Sequence, residues 1–379
     1  MSSVKLDTSN YNYEDLEEYY RGFIAPAYKI LVSNEDIVKK GIAVDSVTVD
    51  TSTSHTADKA SFTITNAYNL TSRALLWKDS TNRNSTDLSG TDSLIKLGDP
   101  VEIHTGYTDR LKAMFFGYIT NIEYNFSSGQ APSIEITAMD ISFFMMRSGQ
   151  PHIWSNVRLA HVVQDIRLQY PFTDIVISRD PVRHAEIAKN VESDHEFLQE
   201  LANKYNYRYF VLGKKLYFTK ESASNIPVLK LEWGKQLMSV RIEHDIADQV
   251  AKVVVKANIR NTDSVITVEG KLIEKIGLNS VTGPDIMKKL GNYTEVHQIT
   301  VDDEADALEK ADSIMEEHAK KLVSGSASCI GMPEIQAGRY IEIGGLGKGL
   351  DTKYYINSTT HTIDSSGYQT TFNLEGNAV

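Results

Sequence analysis

Two blocks of the sequence, about 240 residues apart, follow the same pattern. Residues 95–103 and 335–343 both read I-x-[LA]-G-x-x-[VI]-E-I. Each block is followed by a strand signal, a Ser-Ser-Gly turn and a return strand, at 117–129 and at 354–367. Two blocks in the same order at a nearly constant offset predict duplication of one β-barrel-like domain. We expect the repeat positions to serve barrel and ring assembly: Gly98, Val101, Glu102, Ile103, Gly338, Ile341, Glu342 and Ile343.

The pattern between the two blocks divides the chain further. Strand signals dominate 26–147, and 148–222 combines helical spacing with a hairpin at Gly213-Lys214. Strands resume over 223–379, interrupted by a predicted helix near 303–323. The sequence therefore predicts an α+β, mainly β fold, with two similar antiparallel β-barrel domains joined by a small α+β domain.

Residues 1–25 form a tyrosine-rich acidic segment with little periodic pattern. One interpretation is a flexible arm that ends near Pro26. The other is a docking segment, because tyrosine rings suit partner surfaces.

Composition excludes several classes of protein. The 379 residues carry a net charge of -11, which argues against binding driven by neutralising phosphates, so we expect no direct nucleic-acid recognition. No apolar run reaches the length of a membrane-spanning helix, and the start of the chain lacks the layout of a secretory signal. The single cysteine, Cys329, excludes an internal disulfide and is expected to be buried and structural.

The sequence does not match the catalytic or ligand-binding motifs that it most nearly resembles. The glycine-rich stretch 344–349 lacks the spacing of a phosphate loop and is expected to be a hairpin turn. His195-Glu196 has no second histidine four residues on, and the remaining histidines are scattered. We expect no enzyme activity, no cofactor and no metal site.

The C-terminal block resembles the late control D, or baseplate hub, family of contractile-tailed phages. The resemblance rests on a P-x-[LI]-x-[AP]-G entry, a Gly-rich turn, a Y-x-[IV] strand, an [ST]-H pair and a closing G-Y-x-[TS]-x-[FL]. Its principal positions here are Pro333, Tyr355, His361, Gly367, Tyr368 and Phe372. The middle unit also looks like that of the family, in its Ser193-Asp194-x-Glu196-Phe197-Leu198 helix start and the hairpin that closes with 215–218. The resemblance covers roughly 27–375.

The resemblance implies a structural protein without catalysis. It implies a homotrimer with two tube-like barrels per chain, so that six barrels surround a pore and adapt a hexameric tail tube to a trimeric central spike. The implied partners are the tube protein, a spike on a separate polypeptide and baseplate wedge proteins. The implied location is the tail baseplate of a virion or phage-like particle, assembled in the bacterial cytoplasm without membrane insertion.

Two alternatives stay open. One is the hub of a type VI-like secretion spike that carries effectors. Neighbouring genes distinguish it, because sheath and tube genes beside capsid genes mean a phage, and without capsid genes a tailocin or injection system. The remote alternative is a cell-surface carbohydrate-binding β protein, which predicts an exposed aromatic cluster.

Overall fold

The structure, a computed structural model, describes residues 4–53, 57–65, 68–71, 73–75, 94–147, 149–178, 182–220, 225–272, 275–277 and 281–379. The strands are β1 (Pro26–Val32), β2 (Glu35–Asp36), β3 (Val44–Ser52), β4 (Lys59–Ile64), β5 (Tyr68–Asn69), β6 (Ala74–Leu75), β7 (Pro100–Tyr107), β8 (Arg110–Asn125), β9 (Ser133–Met139), β10 (His152–Val157), β11 (Asp174–Ile177), β12 (His184–Lys189), β13 (Arg208–Leu212), β14 (Lys215–Thr219), β15 (Pro227–Glu232), β16 (Leu237–His244), β17 (Lys252–Ile259), β18 (Val265–Glu269), β19 (Thr294–Val301), β20 (Val323–Ile330), β21 (Tyr340–Gly344), β22 (Thr352–Asp364) and β23 (Gly367–Gly376). The helices are α1 (Tyr13–Tyr19), α2 (Leu159–Arg167), α3 (Asp194–Tyr205), α4 (Gly283–Leu290) and α5 (Glu304–Lys320), with 3₁₀ turns at Arg21–Phe23 and Ile141–Met146.

The two β-rich regions share one strand order. In the first region neighbouring strands run β3-β4-β9-β8-β7-β1, and in the second they run β16-β20-β23-β22-β21-β15. Each strand of the first region has its counterpart at the same place in the chain order of the second. One pair differs in direction, because β1 is antiparallel to β7 whereas β15 is parallel to β21. We call the six strands of each region repeat 1 and repeat 2.

The two repeats form one continuous sheet, because β22 of repeat 2 pairs with β3 of repeat 1. Each repeat nevertheless has its own apolar core. Alternating residues such as Val47, Val49 and Phe62 fill the first core, and residues such as Ile341, Ile343 and Phe372 fill the second. The α+β, mainly β fold is confirmed, with two similar regions whose strand pairs are antiparallel except for β15 with β21.

The middle unit has a separate core. Helix α2 buries Leu159, Val162, Val163 and Ile166, and α3 begins with the predicted capping box, in which Ser193 and Glu196 bond each other's backbone amides. Strands β13 and β14 form the predicted hairpin, with Gly213 at φ 61° in its turn. The sheets β10-β12 and β11-β14-β13 complete this unit.

The prediction placed all of 223–379 in the second barrel, and this is wrong for its central part. Strands β17, β18 and β19 form a separate three-stranded sheet, covered by α5. The physical reason is that β17 pairs with β18 on one edge and with β19 on the other, so both of its edges are used within this small sheet. The predicted helix near 303–323 is present as α5, in this inserted unit.

The N-terminal segment packs on its own chain. Helix α1 is capped by the side chain of Asn12, and Leu16, Tyr20 and Phe23 are buried in the core of repeat 2 together with Tyr107 of β7. The expectation of a flexible arm is therefore wrong for residues 4–25, because these apolar side chains fall at helical spacing and bury together.

Residues 69–92 are rich in Ser, Thr, Asn and Asp, a composition that predicts a long loop, and most of this segment lies outside the described residues. In the part of the chain that the structure covers, every helix is too short or too polar to cross a bilayer.

Candidate functional site: the surfaces that join the repeats

The two repeat glycines make the same hydrogen bonds. Gly98 donates to the carbonyl of Ile119 at 2.8 Å, and Gly338 donates to that of Ile356 at 2.9 Å. The return bonds also match, from the Ile119 amide to Asp99 at 2.9 Å and from the Ile356 amide to Arg339 at 2.8 Å. Both glycines have φ near +90°, at 88° and 90°, a conformation that residues with a Cβ rarely adopt.

Two of the ladder irregularities also coincide in the two repeats. The ladder between β8 and β9 shifts between Ile119 and Asn121, and that between β22 and β23 shifts between Ile356 and Ser358. A second shift lies between Val44 and Ser46 on β3, and it recurs between Leu237 and Ser239 on β16. Because bulges fix register, these two matching shifts give β8 and β22, and β3 and β16, equivalent registers in the two repeats.

The remaining repeat positions alternate between core and outer face. Val101 and Ile103 are fully buried in the first core, as are Ile341 and Ile343 in the second. The glutamates between them point the other way. A Glu102 oxygen lies 2.8 Å from the Nε2 of His104, and a Glu342 oxygen lies 3.0 Å from the Nζ of Lys230.

The ladder between β22 and β3 joins the repeats within the chain. It runs antiparallel over six residue pairs, from Ser358 opposite Ser52 to Ile363 opposite Val47. On the buried face the hydroxyls of Thr51 and Thr359 lie 2.8 Å apart, and on the other face Thr360 donates to Asp50 at 2.6 Å. We call this ladder the intrachain junction.

His361 of the resemblance motif lies at the centre of a buried polar network. Its Nε2 lies 3.0 Å from the carbonyl of Ile335, which assigns the proton to Nε2 and leaves Nδ1 as an acceptor. The hydroxyls of Tyr368 and Thr370 lie 2.9 and 3.0 Å from Nδ1. The Tyr368 hydroxyl in turn lies 2.9 Å from that of Thr105 on β7, so the network connects both repeats. Burial lowers the pKa of His361 to about 4.

The other motif positions of the resemblance also lie in repeat 2. Phe372 and Tyr355 are 1% exposed, and Pro333 is buried in the segment that enters β21. The Tyr355 ring lies under the guanidinium of Arg208, 3.9 Å from its centroid, which links repeat 2 to the middle unit. Gly367 occupies the turn between β22 and β23 at φ 122°. Of these six positions, Tyr368 bonds His361 directly, and the others lie in the packing and the turns of repeat 2.

A second polar cluster, which sequence reasoning missed, anchors the N-terminal segment. Asp7 receives a hydrogen bond from Lys112 of β8 at 2.6 Å, and its own amide donates to Gln336 at 3.0 Å. Tyr20 donates to the buried carboxylate of Glu334 at 2.9 Å. The segment therefore bridges repeat 1 and repeat 2. The apolar spacing of residues 16–23 was the signal available in the sequence.

The glycine-rich stretch and Cys329, which were considered for chemistry in the sequence, both have structural roles. The predicted glycine-rich turn is present, with residues 345–351 connecting β21 to β22. Cys329 is fully buried, which raises the pKa of its thiol. The sequence did not show that His184, Asp302 and Asp306 come together, with possible ligand atoms within 4.8 Å of one another. Asp306 already accepts from Lys310 at 2.8 Å, and Asp302 lies 3.2 Å from Arg260. These ion pairs balance both carboxylates, so a divalent cation would meet two positive side chains.

A family model described as the Alg8 N-terminal domain matches residues 34–365 of this chain. The chain belongs to the Alg8 N-terminal domain family. That description does not name the late control D family, so the resemblance to late control D proteins stays a prediction. No curated protein matches the chain.

Solved structures share the fold over nearly the whole chain. A tail protein from Neisseria meningitidis MC58 is 13% identical, with a TM-score of 0.64 over 93% of this chain and 96% of that one. The 43 kDa tail protein of prophage MuSo2 from Shewanella oneidensis is 12% identical, with a TM-score of 0.64 over 92% and 98%. An E. coli type VI secretion component, described as similar to T4 tail proteins gp27 and gp5, is 11% identical, with a TM-score of 0.55 over 89% and 74%.

Proposed function

We propose that this chain is a structural hub protein of the tail baseplate in a contractile phage tail or phage-like particle. In this proposal three chains form a ring of six equivalent repeats, which adapts a hexameric tail tube to a trimeric spike. The chain acts by assembly and force transmission, without catalysis. Its partners are other copies of itself, the tube, a separate spike and the baseplate wedges.

The observation that carries the proposal is the shared strand order of the two repeats, with matching glycine hydrogen bonds and two matching register shifts, across a continuous sheet. A trimer whose chains each hold two equivalent modules offers six similar positions to a sixfold partner and three identical positions to a threefold partner. The fold likeness to tail proteins of Neisseria meningitidis and Shewanella oneidensis supports the same role.

A second candidate is the hub of a type VI-like secretion spike. The fold likeness to the E. coli type VI secretion component favours it, at a TM-score of 0.55. The ring is common to both candidates, and they differ in what surrounds it. Sheath, tube and capsid genes beside the gene for this chain would favour the phage tail.

Electron microscopy of the purified protein tests the ring. We expect threefold particles with six similar lobes around a central opening, and light scattering should give the mass of three chains. Monomers at every concentration would contradict the hub proposal.

A further inference from the structure

Two cavities lie where the middle unit, the inserted unit and repeat 2 meet. The larger has a volume of about 550 Å³ and the smaller one of about 430 Å³, a size that suits a small organic molecule. Side chains of α3, β13 and α5 line both cavities, and Asn206, Arg208 and Lys320 are shared between them. Lys320 is therefore at the place where the two cavities adjoin.

Lys320 is the last residue of α5, and its side chain is partly exposed. Its Nζ donates to the Oδ1 of Asn206 at 2.5 Å, and Asn206 is a neutral amide. Among the described residues no carboxylate forms an ion pair with Lys320, whereas Lys220, which lines the larger cavity, pairs with Glu309. The positive charge of Lys320 is therefore not directly compensated.

The three carboxylates whose charges act on Lys320 each have another partner. Glu375 pairs with Arg208 at 2.7 Å, Glu317 lies 3.5 Å from Lys321, and Glu316 accepts a hydrogen bond from Asn206. Arg208 also brings a second positive charge to the same two cavities. These surroundings favour the neutral amine of Lys320 over its ammonium form.

The titration of Lys320 agrees with this geometry. Burial lowers the pKa of Lys320 to about 8 from an ordinary value of 10.5, and the charge of Arg208 contributes to the shift. At pH 7.5 about a quarter of the Lys320 side chains are then neutral, compared with about one in a thousand for an ordinary lysine. The neutral amine is the nucleophilic form of a lysine.

We propose that Lys320 is a reactive amine that binds small aldehydes covalently in these cavities. The neutral Nζ forms a bond to the carbonyl carbon, and the carbonyl oxygen takes both amine protons and leaves as water. The product is an imine, and the reaction consumes no oxidant or reductant. This binding site goes beyond the hub role and does not depend on it.

The lining of the larger cavity suits a small carbonyl compound with both polar and apolar parts. Tyr205, Leu308 and Tyr340 supply apolar surface, and Asn206 and Arg208 supply polar groups beside Lys320. Aldehydes are the class that fits, because an amine forms an imine with them without an activated leaving group.

Labelling of the folded chain across pH tests the reactivity. Brief treatment with formaldehyde and cyanoborohydride methylates neutral amines, and mass spectrometry after cleavage at glutamates resolves Lys320 from the neighbouring Lys321. The Lys321 side chain is 47% exposed and serves as the internal control. We expect half-maximal labelling of Lys320 near pH 8 and, at pH 7.5, a rate at least tenfold above that of Lys321. A rate no higher than that of Lys321 overturns the proposal.

Pyridoxal tests the cavities, because it is a larger aldehyde whose imine borohydride converts into a stable adduct. We expect one adduct per chain, on Lys320. Lys320→Arg keeps the positive charge and should lose the adduct, whereas the matched control Lys321→Arg should retain it. Adducts spread over exposed lysines, or an adduct on Lys320 that forms only after unfolding in urea, overturn the proposal.

Asn206→Asp tests the uncompensated charge while leaving the lysine in place. A carboxylate beside the Nζ stabilises the ammonium, so the pyridoxal adduct at pH 7.5 should fall at least fivefold and recover at pH 10. Circular dichroism shows whether the variant is folded. An unchanged yield at pH 7.5 in the folded variant contradicts the electrostatic basis of the proposal.

Discussion

Thr51 and Thr359 face each other across the intrachain junction with their hydroxyls 2.8 Å apart, and both side chains are buried. The two residues are 308 positions apart in the chain, so this contact reports directly on the docking of repeat 1 against repeat 2.

A double-mutant cycle across this pair should show coupling. Thr51→Val or Thr359→Val alone leaves one buried hydroxyl without its partner, and each should lower the free energy of unfolding by about 1–2 kcal/mol. The double variant should lose less than the sum of the two, since no hydroxyl then remains. Urea unfolding followed by circular dichroism measures all four proteins, and additive losses would show that the contact contributes nothing.

His361 should make stability depend on pH. Burial lowers the pKa of His361 to about 4 from an ordinary value of 6.5, so the unfolded chain takes up the proton first as the pH falls. The stability from this group is complete above about pH 6.5 and is lost progressively down to about pH 4. The loss should be on the order of 3 kcal/mol.

His361→Gln tests this assignment, with His152→Gln at an exposed position as the control. Unfolding free energies between pH 4 and 7 should fall for the unmodified chain and for the control. The curve of His361→Gln should be flatter across that window. If the unfolding free energy falls with pH equally steeply in all three proteins, His361 is not the source of the pH dependence.

The sequence predicted those parts of the fold that are specified by residues close together in the chain. The equivalence of Gly98 and Gly338 could be predicted from the sequence, because the repeated pattern around each glycine lies within nine consecutive positions. The intrachain junction was not, because nothing near Thr51 indicates that its partner lies beyond residue 350. The inserted unit was missed for a related reason, since the alternation of Val253, Val255 and Ala257 shows a buried face without showing in which sheet.

Replacing either repeat glycine, Gly98 or Gly338, by alanine should destabilise the protein by a similar amount. At φ near +90° an added Cβ is strained, so Gly98→Ala and Gly338→Ala should each cost about 1–2 kcal/mol of unfolding free energy. Gly344→Ala is the matched control, because that glycine lies outside the positive-φ region and its Cβ would meet ordinary contacts at 3.5 Å. Urea midpoints should fall for the first two variants only. A fall of equal size in Gly344→Ala would show that strain is not the cause.

The N-terminal segment should loosen when Tyr20 loses its hydroxyl. Tyr20→Phe leaves the buried Glu334 carboxylate without the donor that lies 2.9 Å away, at a cost of about 1–3 kcal/mol. Trypsin should then cleave faster after the exposed Arg21, because cleavage follows local opening of this segment. Tyr19→Phe is the control, since that side chain is 48% exposed and its ring is retained. Cleavage at equal rates in the two variants would show that the Tyr20–Glu334 bond does not hold the segment in place.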